Sequence, residues 1–398
     1  MKIAVIFDSQ IQGGGGYYQS LNSALLLNKL NNDSNNFFFI TTNKKTFSEL
    51  KQHKLNLIHF KKLFITKIFY HLSQNNFFCF LLNFFGFKNP FSKFLNKYKF
   101  NLVIFLGPSW LIKNCDLNFI STIYDINFKL DNFFPEYKSS TIFNSKDIIV
   151  KKSVNHAFKI IVDTERSKNE LINIYSCSEK KIVVQPFIPL MPSIDKNIIN
   201  KNEENIINKN NLNNKNYLFY PAQFWAHKNH KYIIDALEIL KNKNIDINVV
   251  FCGSDKGNLK YINNIISKKN LKNTIHIVNF ISEQDLVLLY KNCLALVMPT
   301  YVARSTLPLY EAFYFKKPIL YSKNVLDEKL EKLVNTLDLN DPNDLALKIQ
   351  KIILNELQVK EKIEDAYSYF SENCSEILFN KNYKKILNDY KYQSERWE

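Results

Sequence analysis

Two stretches constrain the fold of this chain more than any others: Tyr217 to His230 (Tyr-Leu-Phe-Tyr-Pro-Ala-Gln-Phe-Trp-Ala-His-Lys-Asn-His) and Pro299 to Ala312 (Pro-Thr-Tyr-Val-Ala-Arg-Ser-Thr-Leu-Pro-Leu-Tyr-Glu-Ala). Each reads as a buried strand or strand end, then a polar turn, then the start of a helix. Turns of that kind are where a parallel α/β sheet binds ligands. The strand ends open a crevice there, and helix N-termini aim unpaired N–H groups at anions. Two such turns in one domain point to a phosphate-bearing ligand.

The rest of the chain fits the same scheme. Apolar runs at Lys2–Phe7, Phe37–Thr41, Leu55–Phe60, Leu102–Leu106, Phe119–Tyr124, Lys159–Asp163 and Ile182–Phe187 read as strands of a first domain. After Tyr217, strands at 217–220, 247–252, 275–280 and 295–298 alternate with helical segments at 232–240, 260–269 and 283–291, which is a doubly wound pattern. Between these halves, residues 193–216 are dominated by Asn, Lys, Ile and Glu without a sustained period and read as a connection. A chain of 398 residues with 46% hydrophobic content can bury two cores of similar size. Four glycines, Gly13 to Gly16, precede the first helical segment, where Gly14 and Gly15 would let backbone approach a ligand; a merely flexible turn is the alternative. Thr164 or Asp163 reads as a helix N-cap. Asp341-Pro-Asn-Asp344 reads as a cap, a first-position proline and a third-position acid.

Composition narrows the partners. Fifty-three Lys and Arg against thirty-seven Asp and Glu leave a net charge of +16, which favours anionic ligands such as sugar nucleotides or phospholipid headgroups. A compositional bias towards Asn and Lys accounts for the excess equally well. Nucleic acid is disfavoured because no recognition helix or RNP-type strand is present. The six cysteines are scattered without metal-ligand spacing, as expected of thiols in a reducing cytoplasm. The N-terminal run reads as a first strand rather than a signal peptide. The apolar run Phe77–Phe87 is eleven residues long, whereas a bilayer span needs about twenty. The aromatic, basic segment 61–100 around it fits either core packing or a peripheral contact with an anionic membrane, at the inner face of the cell membrane.

Tyr220 to His230, Phe251-Cys-Gly-Ser-Asp-Lys-Gly257, Pro299-Thr-Tyr301, Leu307-Pro308 and Glu311-Ala312 together resemble the C-terminal half of the family-4-type (group 1) retaining glycosyltransferases of GT-B fold. The resemblance implies two Rossmann-like doubly wound domains facing a cleft. They would comprise an acceptor-side domain over 1–190, a linker over 191–216, a nucleotide-sugar-binding domain over 217–372, and a C-terminal helix within 373–398 that crosses back to the first domain.

On this resemblance, Lys228 stabilises the diphosphate that leaves as the sugar carbon becomes cationic. Glu311 hydrogen-bonds the donor ribose. Gly14, Gly15, Gln223, Gly253, Phe280, Arg304, Ser305, Thr306 and Leu307 line the donor, and Asp125 and Glu136 are polar candidates on the acceptor side. Three departures stand out. Gln223 occupies a position that is often Arg, Ala303 replaces the first of two glutamates, and Phe128 with Lys129 stands where similar enzymes carry His-Arg. Arg304 either replaces the lost cation or points to solvent. His227 and His230 lie three apart without a third ligand, so a helix-capping or ligand-contact role is expected and no metal site is assigned.

The expected activity is hexosyl transfer with retention from a nucleotide-diphosphate sugar, with no other cofactor, to a glycan or lipid-linked glycan in lipopolysaccharide or capsule synthesis. Mannose and rhamnose are the sugars that the motif variety suggests. The alternatives are a non-catalytic sugar-nucleotide or glycan-binding protein of the same fold and a nucleotide-sugar epimerase.

Overall fold

The structure is a computed structural model that describes residues 1–10, 14–61, 89–190, 206–212, 216–279, 281–302, 306–323, 325–354 and 356–396. The run 77–87, together with Phe280, Ala303, Arg304 and Ser305, lies outside the described residues. The chain divides into two compact units, residues 1–129, 140–186 and 376–398 in the first and residues 130–139 and 187–375 in the second.

The first unit holds a seven-stranded, wholly parallel sheet ordered β3-β2-β1-β4-β5-β6-β7. Its strands are β1 (Lys2–Ile6), β2 (Asn36–Thr41), β3 (Leu57–His59), β4 (Leu102–Phe105), β5 (Phe119–Thr122), β6 (Lys159–Val162) and β7 (Ile182–Val184). The central strands read as unbroken apolar runs because helices cover both faces of a parallel sheet, and all four residues of β4 are buried. The strand order reverses between β1 and β4. Thr164 is the N-cap of helix Glu165–Tyr175, its Oγ1 accepting the Ser167 N–H at 3.1 Å.

The helix Glu376–Ser394 belongs to this first unit, although the 189 residues 187–375 of the second unit separate it from Pro186, where the first unit's preceding segment ends. Phe379, Tyr383, Ile386, Leu387 and Tyr390 form its buried stripe. Lys29 pairs with Glu376 at 2.7 Å, Asn382 donates to Gln185 at 2.8 Å, and the Tyr390 hydroxyl donates to the Asn101 carbonyl at 2.8 Å. Within the aromatic segment 61–100, the described part contains helix Pro90–Lys97, whose Phe91 and Leu95 are buried. Phe91 meets Phe60 edge-on at 5.5 Å, so this part packs into the core.

The second unit holds a six-stranded parallel sheet ordered β10-β9-β8-β11-β12-β13. Its strands are β8 (Tyr217–Tyr220), β9 (Asn248–Cys252), β10 (Ile275–Val278), β11 (Ala295–Met298), β12 (Ile319–Ser322) and β13 (Asn335–Leu337). The order reverses between β8 and β11. Two features differ from the sequence reading. Ile206, Ile207 and Leu212, inside the stretch read as a connection, are buried in this unit's core, since a short helix at Ile206–Lys209 gives their side chains an apolar face to cover. Residues 130–139, read as first-domain sequence, pack with the second unit. Asp341 caps helix Pro342–Ile353 by accepting the Asn343 N–H at 2.9 Å, while Asp344 accepts instead from the Asp338 N–H at 2.9 Å. Among the described residues no helix is long and apolar enough to cross a membrane.

Candidate functional site

In a doubly wound sheet the crevice opens outside the carboxyl ends of the strands where the order reverses. In the second unit that point lies between β8 and β11. The described residues leaving those two strands are 221–229 and 299–302, with Thr306 at the start of the next helix, and they fall in the two stretches that the sequence singles out.

Backbone and side-chain bonds lock these turns together. The Tyr301 N–H donates to the His227 carbonyl at 2.9 Å, and the Thr300 hydroxyl reaches the same carbonyl at 3.3 Å. Tyr220, fully buried at the end of β8, donates its hydroxyl to the Lys228 carbonyl at 2.6 Å. The Lys228 N–H bonds the Trp225 carbonyl at 3.2 Å, closing the single 3-10 turn Ala226–Lys228. Lys228, itself half-buried, therefore leaves a backbone held on both sides of its Cα.

The turn after β9 joins the same cluster. The Phe224 N–H donates to Ser254 O at 3.1 Å, and the Asn258 N–H returns to Phe224 O at 3.2 Å. Gly253 is required by this approach, because a Cβ there would lie 2.4 Å from the Ala222 carbonyl oxygen and 2.7 Å from the Gln223 nitrogen. Gly253→Ala is accordingly expected to force the two turns apart and to destabilise the protein by about 1–3 kcal/mol. A urea midpoint unchanged from wild type would contradict this. Asp255 ties down the far side of the turn by accepting from the Gly257 and Leu259 N–H groups at 2.7 and 3.2 Å, and those bonds hold its carboxyl below the usual range. Gln223 accepts from the Trp225 indole at 3.0 Å, and Lys256 lies 5.8 Å from the centre of the same indole.

Glu311 sits in helix Leu307–Tyr314, with Thr306 as its N-cap residue and Leu307 as its first residue. Only 5% of Glu311 is exposed. Burial pushes its carboxyl up to about 8, against the weaker downward pull of a 2.6 Å hydrogen bond from the Tyr290 hydroxyl. Tyr290 comes from helix Glu283–Asn292 and is wedged between Phe315, stacked at 5.6 Å, and Phe219 of β8, edge-on at 4.9 Å. The sequence gives no sign of Tyr290, since its pairing with Glu311 joins side chains of two different helices 21 positions apart.

The two histidines part company. His230 opens helix His230–Asn242 and is completely buried, stacked on Phe224 at 4.4 Å and edge-on to Phe251 at 5.0 Å. Burial drives its imidazole down to about 3. The expected capping or ligand-contact role is therefore corrected: three aromatic neighbours, Tyr220 among them, make it a neutral core side chain. His227 instead gives both its backbone N–H, at 3.1 Å, and its ring Nδ1–H to Glu136 Oε1. Glu136 lies in the 130–139 segment of the same unit, as do Phe134 and Tyr137, whose rings lie 6.0 and 5.9 Å from the imidazole.

In the first unit, the reversal point between β1 and β4 is flanked by Asp8, which accepts from the Thr42 hydroxyl at 2.8 Å and the Ser109 hydroxyl at 2.5 Å. Gly14 has φ 62° and precedes helix Gly15–Lys29, a conformation that glycine adopts without the Cβ clash. Tyr124 packs against Gly16 and Gly107, and its hydroxyl is 2.9 Å from Ser20 and 3.0 Å from Leu106 O. Asp125, half-buried, accepts the Asn127 N–H at 3.0 Å, a local turn-closing bond. Phe128, at the position where the resemblance implies histidine, is buried against Phe143 at 5.4 Å and is part of the core. Among the described residues no cluster of His, Cys, Asp and Glu has the arrangement to hold a metal ion.

Comparison with known proteins bears on the arrangement around β8 and β11. Residues 202–371 match the glycosyl transferases group 1 family. None of the curated proteins matches the sequence. Among solved structures, Anabaena HepE, in complex with UDP and glucose, superposes with a TM-score of 0.73 at 16% identity over 98% of this chain and 99% of that one. Sucrose-phosphate synthase of Thermosynechococcus elongatus gives 0.72 at 14% identity over 98% and 99%. A glycosyltransferase of Rickettsia africae gives 0.67 at 18% identity over 97% and 98%. The chain has the GT-B fold of two Rossmann-like α/β domains with parallel sheets.

Proposed function

We propose that the chain is a retaining glycosyltransferase that takes a sugar from a nucleotide-diphosphate donor bound by the turns after β8, β9 and β11. The observation that carries the reading is the convergence at one reversal point of a backbone-clamped Lys228, a helix opening at Leu307 and a buried Glu311. Lys228 and the N-terminus of that helix would meet the diphosphate, where leaving-group charge grows. Glu311, oriented by Tyr290, would accept from the ribose hydroxyls. Gln223, Gly253, Thr306 and Leu307 shape the same turns, with Phe280, Arg304 and Ser305 proposed as further donor contacts. Gly14 and Gly15 of the first unit are proposed as further donor-binding residues and Asp125 as a catalytic residue.

Related folds support the donor class, since HepE was solved with UDP-glucose. A further neighbour is WaaG, a glycosyltransferase involved in lipopolysaccharide biosynthesis, which superposes with a TM-score of 0.61 at 13% identity. By analogy the acceptor proposed here is a surface glycan or its lipid-linked precursor, met at an anionic membrane face on the cytoplasmic side, and the transferred sugar is a hexose such as mannose or rhamnose.

The test is incubation with a panel of nucleotide sugars and sugar acceptors, with the anomeric proton of the product followed by NMR. A product with the donor's anomeric configuration is expected, and an inverted product would overturn retention. A positive side chain already stands at the phosphate turn, so transfer is also expected to proceed in EDTA. Rate lost to the chelator and restored by magnesium or manganese would contradict that expectation.

A further inference from the structure

We propose that Glu136 and His227 form a positioning clasp through which residues 130–139 set the aim of Lys228, an inference that rests on the donor-site reading above. The segment comes from the first half of the sequence yet packs with the second unit. One carboxylate oxygen, Glu136 Oε1, receives both the backbone N–H and the ring Nδ1–H of His227. Both side chains are almost wholly covered, 7% exposed for His227 and 5% for Glu136. With the carboxyl oxygen as the acceptor, the ring proton lies on Nδ1.

The next links run through the backbone. The carbonyl of His227 holds Tyr301 N–H and the Thr300 hydroxyl, so this one residue ties the 130–139 segment, the turn after β8 and the turn after β11. Lys228 follows immediately, its own carbonyl held by Tyr220. Removing the Glu136 carboxylate takes away the acceptor for the N–H that begins this chain of bonds, and the Lys228 Cα loses one of the supports that orient its side chain. The same change takes from the segment its two hydrogen bonds with His227.

The clasp makes a prediction that depends on atoms rather than on volume. Asparagine can place an amide N–H near the position of Nδ1, whereas glutamine reaches towards that of Nε2. His227→Asn should therefore keep the bond to Glu136 and His227→Gln should lose it. The free nucleoside diphosphate carries the charge that the leaving group develops, so its affinity reports on the aim of Lys228.

The experiment is calorimetric titration of UDP and GDP into wild type, Glu136→Ala, Glu136→Gln, His227→Asn and His227→Gln, each with and without Lys228→Ala, with folding verified by circular dichroism. For the diphosphate that wild type binds, His227→Asn and Glu136→Gln should stay within about threefold of wild type, while His227→Gln and Glu136→Ala should weaken binding about tenfold or more. In the Lys228→Ala background those losses should shrink to less than about threefold, because the clasp acts through the lysine. Equal affinities for the Asn and Gln variants, or a Glu136→Ala loss that persists in full without Lys228, would overturn the clasp and leave the donor site standing. Should Glu136→Ala fail to fold, the contrast between the two His227 variants decides. Wild type that binds neither diphosphate would instead overturn the donor-site reading and the clasp with it.

Discussion

Lys228→Ala is expected to lower turnover by a factor on the order of a hundred or more while raising the donor Michaelis constant much less. The reasoning starts from charge. As the bond from sugar to phosphate breaks, negative charge accumulates on the diphosphate, and a cation that meets it gains more in the transition state than in the bound donor. Lys228 leaves a turn fixed by Tyr220 and Trp225, so its backbone has little room to relax when the side chain is shortened. Lys228→Arg should recover only part of the rate, because a planar guanidinium cannot occupy the point of an ammonium. Position 223 carries an uncharged Gln whose carbonyl is engaged by the Trp225 indole, so Gln223→Arg in the Lys228→Ala background should restore measurable activity. Steady-state kinetics on folded variants checks this, and full activity in Lys228→Ala would remove the lysine from the mechanism.

Glu311→Gln should weaken donor binding about tenfold or more and leave the fold intact, with a pH signature that separates the two effects. Burial raises the Glu311 carboxyl from 4.5 to about 8, so near neutrality it is largely the neutral acid, which glutamine imitates in size and charge. The sign for stability follows. Above pH 4.5 the unfolded chain ionises this group and the folded chain does not. Its contribution to stability is therefore full below about 4.5 and is lost as pH rises through about 8, by up to about 1.4 kcal/mol per pH unit. Glu311→Gln should remove that slope. Ribose hydroxyls donate better to a carboxylate than to a neutral acid, so donor affinity of the wild type should climb as pH rises towards 8 and then level, whereas the variant should be flat. A wild-type affinity independent of pH between 6 and 9 would show that Glu311 does not meet the ribose in its ionised form.

Much of the architecture was legible because parallel strands buried on both faces appear as short apolar runs with helices between them. Tyr217–Tyr220 and Ala295–Met298 were readable as strands, and the strand order reverses between them, next to the turns that the sequence singles out. Local chemistry was readable too, as with the caps at Thr164 and Asp341. What escaped depended on contacts between residues far apart in sequence. Glu136 and His227 are 91 positions apart, and nothing in either stretch marks the other as its partner. Tyr290 reaches Glu311 from a different helix, 21 positions away in sequence. His227 and His230 look alike in sequence, but one lies in the 3-10 turn and meets a carboxylate, while the other opens the helix and meets three aromatic rings. Ile206 and Ile207 were hidden within a polar stretch whose composition resembles a linker.

The central claim is that the turns around Lys228 and Glu311 bind a nucleotide-diphosphate sugar, and thermal or urea unfolding against a panel of such donors tests it most directly. A ligand that binds only the folded state at a hundred times its dissociation constant adds about 2.7 kcal/mol of stability. The account predicts that at least one nucleotide sugar stabilises the wild type by this order and that both Lys228→Ala and Glu311→Gln reduce the gain. A folded protein whose unfolding transition is moved by no member of the panel, or moved equally in wild type and both variants, would contradict it.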